Sequence, residues 1–319
     1  MAKRTMLIGD IGGTNARFAL ADQSAPGFSH EETLRCADFA SADAAIAEYL
    51  DKVGAPEPDV ICLAAAGPVI NDVVQFTNNP WRIAVKELRV NFPGATVRLI
   101  NDFEAIAYSV PFLSALPGLI EREQFTVAIV GPGTGLGTAG LKKHGNTLVP
   151  IVSEASHKGF APETKLQREV LEVLRRRFDR VSVERLVSGT GLENLFWALG
   201  ELRGSESRAL SAREIFAASD DHASETVQLF FELLGQYAGD IALAFGAKDG
   251  VFIAGGIVRR YPELFEASGF RAGFNNKGRY RQHMESIPTE LITHPQPGLL
   301  GASYVALDSL RGTEVMPTS

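Results

Sequence analysis

Three times in this sequence an apolar run too short for a helix ends directly in a glycine-rich turn. Thr5–Ile8 runs into Gly9-Asp10-Ile11-Gly12-Gly13-Thr14, Thr126–Val130 into Gly131-Pro132-Gly133-Thr134-Gly135-Leu136-Gly137, and Val251–Ala254 into Gly255-Gly256. Short apolar runs bounded by glycine read as buried strands. After the first two turns the chain becomes strand-like again, at Ala16–Leu20 and Thr138–Leu141, so each of those loops joins a strand to a strand. The recurrence of strand, glycine loop and strand predicts two related halves.

Successive backbone N–H groups in a glycine turn can converge on a phosphate oxygen, because no Cβ blocks the approach. Thr14 and Thr134 add hydroxyl donors. Taken together, the three loops point to a nucleotide. There is no GxxxxGK[ST], and neither of the first two loops fits GxGxxG or leads into a helix, which disfavours a P-loop enzyme and a dinucleotide-binding oxidoreductase.

Between the loops, strands alternate with helices. Ser41 is placed to cap a helix carrying Ile46, Tyr49, Leu50 and Val53 on one face, with Gly54 as its stop. Val60–Ala64 and Val97–Ile100 read as strands. Leu166, Val170, Leu174 and Phe178 form one helical stripe, and Val227, Phe230, Phe231, Leu234, Tyr237, Ile241 and Phe245 a longer one closed by Gly246. This interleaving predicts an α/β architecture. A length of 319 residues exceeds a typical single core, so two domains are expected. Pro111, Pro117 and Gly118 mark the candidate boundary.

Composition narrows the function classes. With 45% apolar and 22% charged residues the chain can bury a core. A net charge of -7 argues against nucleic acid as the main partner. No stretch approaches the roughly 18 apolar residues of a membrane span, and the N-terminal run is too short for a secretory signal, so a soluble cytoplasmic protein is expected. Cys36 and Cys62 lack CxxC spacing and read as buried thiols rather than zinc ligands or a disulfide.

Two sets of polar residues carry candidate chemistry. Asn101-Asp102 closes a buried strand, and the carboxyl ends of strands are where open α/β sheets bind ligands. A carboxylate there can take the proton of a hydroxyl that attacks a γ-phosphate; the competing role for Asp102 is to cap the helix that follows. Asp10, at the end of the first strand, is placed to orient Mg²⁺ through water, or to accept hydrogen bonds from its own loop. Glu154 and His157, with Glu184 further on, offer carboxylates and an imidazole suited to vicinal hydroxyls, although spacing alone leaves surface roles open.

The motifs Asp10–Arg17, Thr77–Trp81, Ile100–Phe103, Gly131–Gly137, Ser188–Leu192, Ile253–Ile257 and Pro297–Gly301 resemble, in order and over nearly the whole chain, the bacterial glucokinase family. The resemblance implies a two-domain actin-like ATPase fold, hexokinase-type and ribonuclease H-like, with a central cleft. It divides the chain into a small domain, 1–110 plus 298–319, and a large domain, 111–297. It implies ATP-dependent phosphorylation of glucose at O6 with Mg²⁺, as the first step of glycolysis, by a homodimer that engages neither nucleic acid nor membrane. Asp102 becomes the catalytic base. Asn101, Glu154, His157 and Glu184 hold the sugar. Gly9, Asp10, Ile11, Gly12, Gly13, Thr14, Gly133, Thr134 and Gly135 hold phosphates, and Gly189, Gly255 and Gly256 approach the adenosine. A kinase for another sugar and a non-catalytic sugar sensor are the alternatives. The related ROK sugar kinases carry a cysteine-rich zinc motif that this chain lacks. One departure stands out: the family usually has Glu-Gly-Gly-His where this chain has Glu154-Ala155-Ser156-His157. Positive φ is harder for Ala and Ser, so a reshaped loop and an altered sugar preference are expected if the turn requires it.

Overall fold

The computed structural model describes residues 4–76, 79–113, 118–204 and 209–314. Thr77 and Asn78 of the Thr77–Trp81 motif, Pro117 of the candidate boundary, and the chain ends lie outside the described residues. Two compact units are present, one comprising Met1–Arg122, Leu148–Val152 and His294–Ser319, the other Glu123–Thr147 and Ser153–Thr293.

The strands of the first unit are β1 (Met6–Ile11), β2 (Asn15–Ala21), β3 (Phe28–Arg35), β4 (Val60–Ala65), β5 (Val73–Gln75), β6 (Arg82–Ala84) and β7 (Thr96–Asn101). Its main sheet has the order β3-β2-β1-β4-β7, and β5 and β6 form a separate pair. Strands β1, β4 and β7 run parallel, while β2 and β3 fold back antiparallel. Successive side chains on a strand point to opposite faces. Leu7, Ile11, Ile61 and Leu63 therefore meet Ile46, Tyr49 and Leu50 of the helix Ala42–Lys52 on one side. Met6, Ile8, Val60, Cys62 and Ala64 meet Leu299, Ala302 and Ala306 of the helix Pro297–Glu314 on the other. Burial on both faces explains why β1 and β4 read as continuous apolar runs. The helix Ala42–Lys52 starts as expected, with Ser41 Oγ accepting the Ala44 N–H at 3.2 Å, and is followed by Gly54 at φ 62°.

In the second unit the strands are β8 (Gln124–Pro132), β9 (Leu136–His144), β10 (Thr147–Ser153), β11 (Val251–Ile253) and β12 (Thr289–Leu291), ordered β10-β9-β8-β11-β12. The hairpin β8–β9 is antiparallel, and β11 lies parallel to β8 and β12. The 25-residue helix Asp221–Phe245 buries Phe230, Phe231, Leu234, Tyr237 and Ile241 against this unit's core and stops at Gly246, φ 65°. The helix Lys165–Leu174 ends before Phe178, whose ring still packs on the core. Among the described residues no helix is long and apolar enough to cross a membrane.

Two expectations follow. The helix Pro297–Glu314 packs on the helix Asp102–Ser109 through Gly301, where a Cβ would lie 1.7 Å from the Ala105 carbonyl oxygen. Gly301→Ala should destabilise by about 1–3 kcal/mol, as overpacking does, seen as a lower denaturant midpoint at an unchanged slope. Both thiols are buried; burial pushes Cys36 up and Cys62 up to about 12. A disulfide reagent should therefore label the native protein only after unfolding, and rapid labelling of the folded chain would contradict this environment.

Candidate functional site

In the second unit, backbone pairing brings distant polar residues together. Gly159 bridges Ser182, and the Phe160 N–H donates to Val181 O at 3.0 Å, so the segment after His157 lies alongside the segment before Glu184. Arg180 donates from Nη1 to the His157 carbonyl at 2.7 Å. Glu154, His157 and Glu184 converge as a result: His157 Nε2 lies 3.9 Å from Glu154 Oε2 and its Nδ1 lies 4.0 Å from Glu184 Oε1. At these separations the groups form no direct hydrogen bonds with one another. Glu154 and His157 are 58% and 57% exposed, so a ligand's hydroxyls can reach them.

The substituted turn between Glu154 and His157 is a short 3₁₀ segment, Ala155–His157. Neither Ala155 nor Ser156 has a positive φ. Ser156 is buried, and Ala155 packs against the core. The turn is built without the left-handed conformation that glycine would supply, so no backbone strain reshapes it.

The second glycine loop adjoins this cluster. It is a three-residue hairpin loop, Gly133-Thr134-Gly135, between Pro132 and Leu136, which pair across β8 and β9. The Gly133 N–H donates to Gly135 O at 2.8 Å, and the Gly133 carbonyl accepts from the Gly189 N–H at 2.8 Å. Gly189 opens the helix Gly189–Arg203, which Ser188 caps by accepting the Gly191 N–H at 2.9 Å. Gly255, at φ 95°, sits so close to Pro132 that a Cβ would lie 2.3 Å from its carbonyl oxygen. Gly133, Thr134, Gly135, Gly189, Gly255 and Gly256 thus occupy one neighbourhood, with Thr134 and Gly256 exposed. A glycine-lined surface at a helix N-terminus matches the chemistry of phosphate.

In the first unit the turn between β1 and β2 is closed by the Gly12 N–H donating to Asn15 O at 2.9 Å. That N–H is occupied within the turn. Among the described residues nothing lies closer than 3.7 Å to a Cβ built at Gly12, and its φ does not demand glycine. Gly9 and Ile11 pack into the core: a Cβ at Gly9 would lie 2.8 Å from Leu63 Cδ2, and Ile11 is fully buried. Asp10 pairs with Arg17 at 3.5 Å, directly across the β1–β2 register. Burial pushes its carboxyl up, while the Arg17 guanidinium pulls it back down.

Asn101 and Asp102 sit at the carboxyl end of β7. Asn101, not Asp102, is the N-cap: its Oδ1 accepts the Phe103 N–H at 2.9 Å and the Glu104 N–H at 3.3 Å. Glu104 accepts the Asn101 N–H at 3.4 Å, completing a capping box. Asn101 Nδ2 also donates to Gly67 O at 3.0 Å. Three of the four hydrogen bonds this amide can make are thereby occupied. Asp102, first residue of the helix and half-buried, accepts its neighbour's Phe103 N–H at 3.0 Å through Oδ1.

Sequence reasoning missed the supports of these groups. Asn79 Nδ2 donates to Gly12 O at 3.3 Å while its Oδ1 holds the Trp81 N–H at 2.9 Å, bracing the first loop. Its place beside Pro80-Trp81 was the available signal. The Leu136 N–H, which donates to Glu184 Oε2 at 2.9 Å, carries no side-chain signal at all.

Known proteins resemble this chain over nearly its whole length. The family model for glucokinase matches residues 7–309. The glucokinase of Caulobacter sp. (strain K31) is 41% identical over 307 residues, 93% of each chain. Among solved structures, a glucokinase from an Antarctic psychrotroph superposes with a TM-score of 0.86 at 33% identity, covering 96% of this chain and 99% of that one. A ROK family glucokinase from Streptomyces griseus, in complex with glucose and AMPPNP, shares the fold with a TM-score of 0.65 at 19% identity, covering 95% and 99%. The two α/β sheets are those of the hexokinase-type, actin-like ATPase fold, and the chain belongs to the glucokinase family of ATP-dependent sugar kinases.

Proposed function

We propose that this chain transfers the γ-phosphoryl group of ATP to the 6-hydroxyl of D-glucose, giving glucose 6-phosphate and ADP, with Asp102 as general base. The observation that carries this reading is the convergence of Glu154 and Glu184 on His157 beside a glycine loop, in a glucokinase-family chain. Two carboxylates and an imidazole, none hydrogen-bonded to another, can share the vicinal hydroxyls of one pyranose. Asn101 has one amide hydrogen left to offer a sugar hydroxyl.

In the reaction the O6–H proton passes to the Asp102 carboxylate as O6 forms its bond to the γ-phosphorus, and the bond from that phosphorus to the β,γ-bridging oxygen breaks. Phosphoryl transfer asks the protein mainly for position and charge neutralisation. The capping box fixes the turn that presents Asp102, and the loops at Gly13–Thr14 and Gly133–Gly135 supply amide and hydroxyl donors. Among the described residues no group of three or more His, Cys, Asp or Glu is placed to hold a metal ion. The Asp10 carboxyl, at the end of β1 and beside Arg17, is the group that would hold an Mg²⁺ through water. Bound there, Mg²⁺ would supply charge neutralisation for the transferring phosphoryl group.

The two cysteines, one in β4 and the other in a short 3₁₀ turn after β3, offer no zinc motif and support placement outside the ROK branch. We assign the protein to the cytoplasm, as a homodimer acting at the first step of glycolysis.

A coupled ADP-release assay over glucose, mannose, fructose and an amino sugar, with and without Mg²⁺, tests the reading. Glucose should give the highest kcat/KM and chelation of Mg²⁺ should abolish turnover; a different preferred sugar would reassign the substrate, and no turnover on any would favour a sensor. Asp102→Ala should lower kcat by about 10²–10⁴-fold with a modest change in glucose KM, and near-normal kcat would remove Asp102 from the role. Glu154→Gln should act mainly on glucose KM, and an unchanged KM would exclude it from sugar binding.

A further inference from the structure

We infer that the glycine loop Gly133–Gly135 is also part of the sugar site: Gly135 and the Leu136 N–H fix the Glu184 carboxylate, so that the phosphate loop and this one member of the hexose cluster form a hydrogen-bonded unit. This rests on the sugar and phosphate roles proposed above.

Glu184 divides its two oxygens between the two substrates' regions. Oε2 accepts the Leu136 N–H at 2.9 Å, and Oε1 faces His157 Nδ1 at 4.0 Å. The backbone at Gly135 is not left-handed, so conformation does not require glycine there. A Cβ at this position would instead lie 2.6 Å from Glu184 Oε2 and 3.5 Å from its carboxyl carbon. The missing side chain is what admits the carboxylate. The circuit then closes through the backbone. The Gly133 carbonyl accepts the Gly189 N–H at 2.8 Å, and the adjacent Ser188 Oγ donates to the Glu184 carbonyl at 2.8 Å. Glu184, Leu136, Gly133, Gly189 and Ser188 thus form a ring in which the loop cannot shift without moving the carboxylate. A sugar that engages Glu184 therefore holds the loop in place, and a nucleotide that orders the loop holds Glu184 in place. Such coupling is reciprocal by thermodynamic necessity.

Isothermal titration of the full-length protein with glucose and with the Mg²⁺ complex of the non-hydrolysable analogue AMPPNP, separately and together, tests the inference. Wild type should bind glucose at least about fivefold more tightly when AMPPNP is saturating. Gly135→Ala should weaken glucose binding about tenfold or more in the absence of nucleotide, an effect that a loop serving phosphate alone would not produce. Glu184→Ala should weaken AMPPNP binding in the absence of sugar, and Glu184→Gln, which keeps an acceptor for the Leu136 N–H, should restore it. If Gly135→Ala does not fold, the Glu184 pair decides the matter. Wild type in which the two ligands bind independently, or nucleotide-free glucose affinity unchanged in Gly135→Ala, or AMPPNP affinity unchanged in Glu184→Ala, overturns the inference while leaving the proposed function standing. Wild type that binds no glucose overturns the sugar site and the inference together.

Discussion

A parallel strand covered on both faces has no place for a polar side chain until it ends. That constraint organises each unit. In the first, β1, β4 and β7 run in the same direction, with Asp10 in register with Ala64 and Ala65 in register with Asn101. Their carboxyl ends therefore bring Asp10, Gly67, Asn101 and Asp102 to one edge of one sheet, and the hydrogen bond from Asn101 to Gly67 ties two of those ends together. In the second unit β8 and β11 end side by side, which is why Pro132 and Gly255 meet so closely. Burial drives the strands together, and the chemistry collects where the burial stops.

The parts of this plan that could be read from sequence are those with a strong period or strong punctuation. Runs such as Met6–Ile8, Val60–Ala64 and Thr126–Val130 have no polar interruption because both faces are covered, so they stand out as strands. Ser41 with Gly54, and Gly246 after a long apolar stripe, mark helix ends through capping and left-handed φ. Strand β3, with the sequence Phe-Ser-His-Glu-Glu-Thr-Leu-Arg, lies at a sheet edge with mostly exposed side chains, and nothing in its local chemistry separates it from a loop. Strands β5, β6 and β12 are three residues each, too short for a period to show. At the site, residue types could be read but their division of labour could not. Asn101 and Asp102 are equally good caps, and only the geometry assigns the cap to Asn101. Gly9 and Gly12 look alike in sequence, yet a Cβ at the first would press on Leu63 while one at the second would make only ordinary contact with Asn15 O.

Glycine plays two different parts around these loops. At Gly255 the backbone itself needs positive φ and the neighbouring carbonyl needs the room. At Gly135 the backbone needs nothing special, and the absent side chain makes space for a carboxylate that arrives from elsewhere in the fold. A motif read as a phosphate cradle alone hides this second part.

The Ala155–Ser156 turn carries a thermodynamic consequence. Alanine and serine have far fewer accessible backbone states than two glycines, so the free chain is already biased toward the folded turn; substitutions of this kind contribute about 0.4–1 kcal/mol each. With Ser156 buried and Ala155 anchored on the core, Glu154 and His157 are held in register in the free protein, and any ligand docking on a turn so held forfeits less disorder. The Glu154–His157 turn of this chain is stiff by composition, and its geometry should depend less on temperature-driven loop melting than that of a glycine-built counterpart.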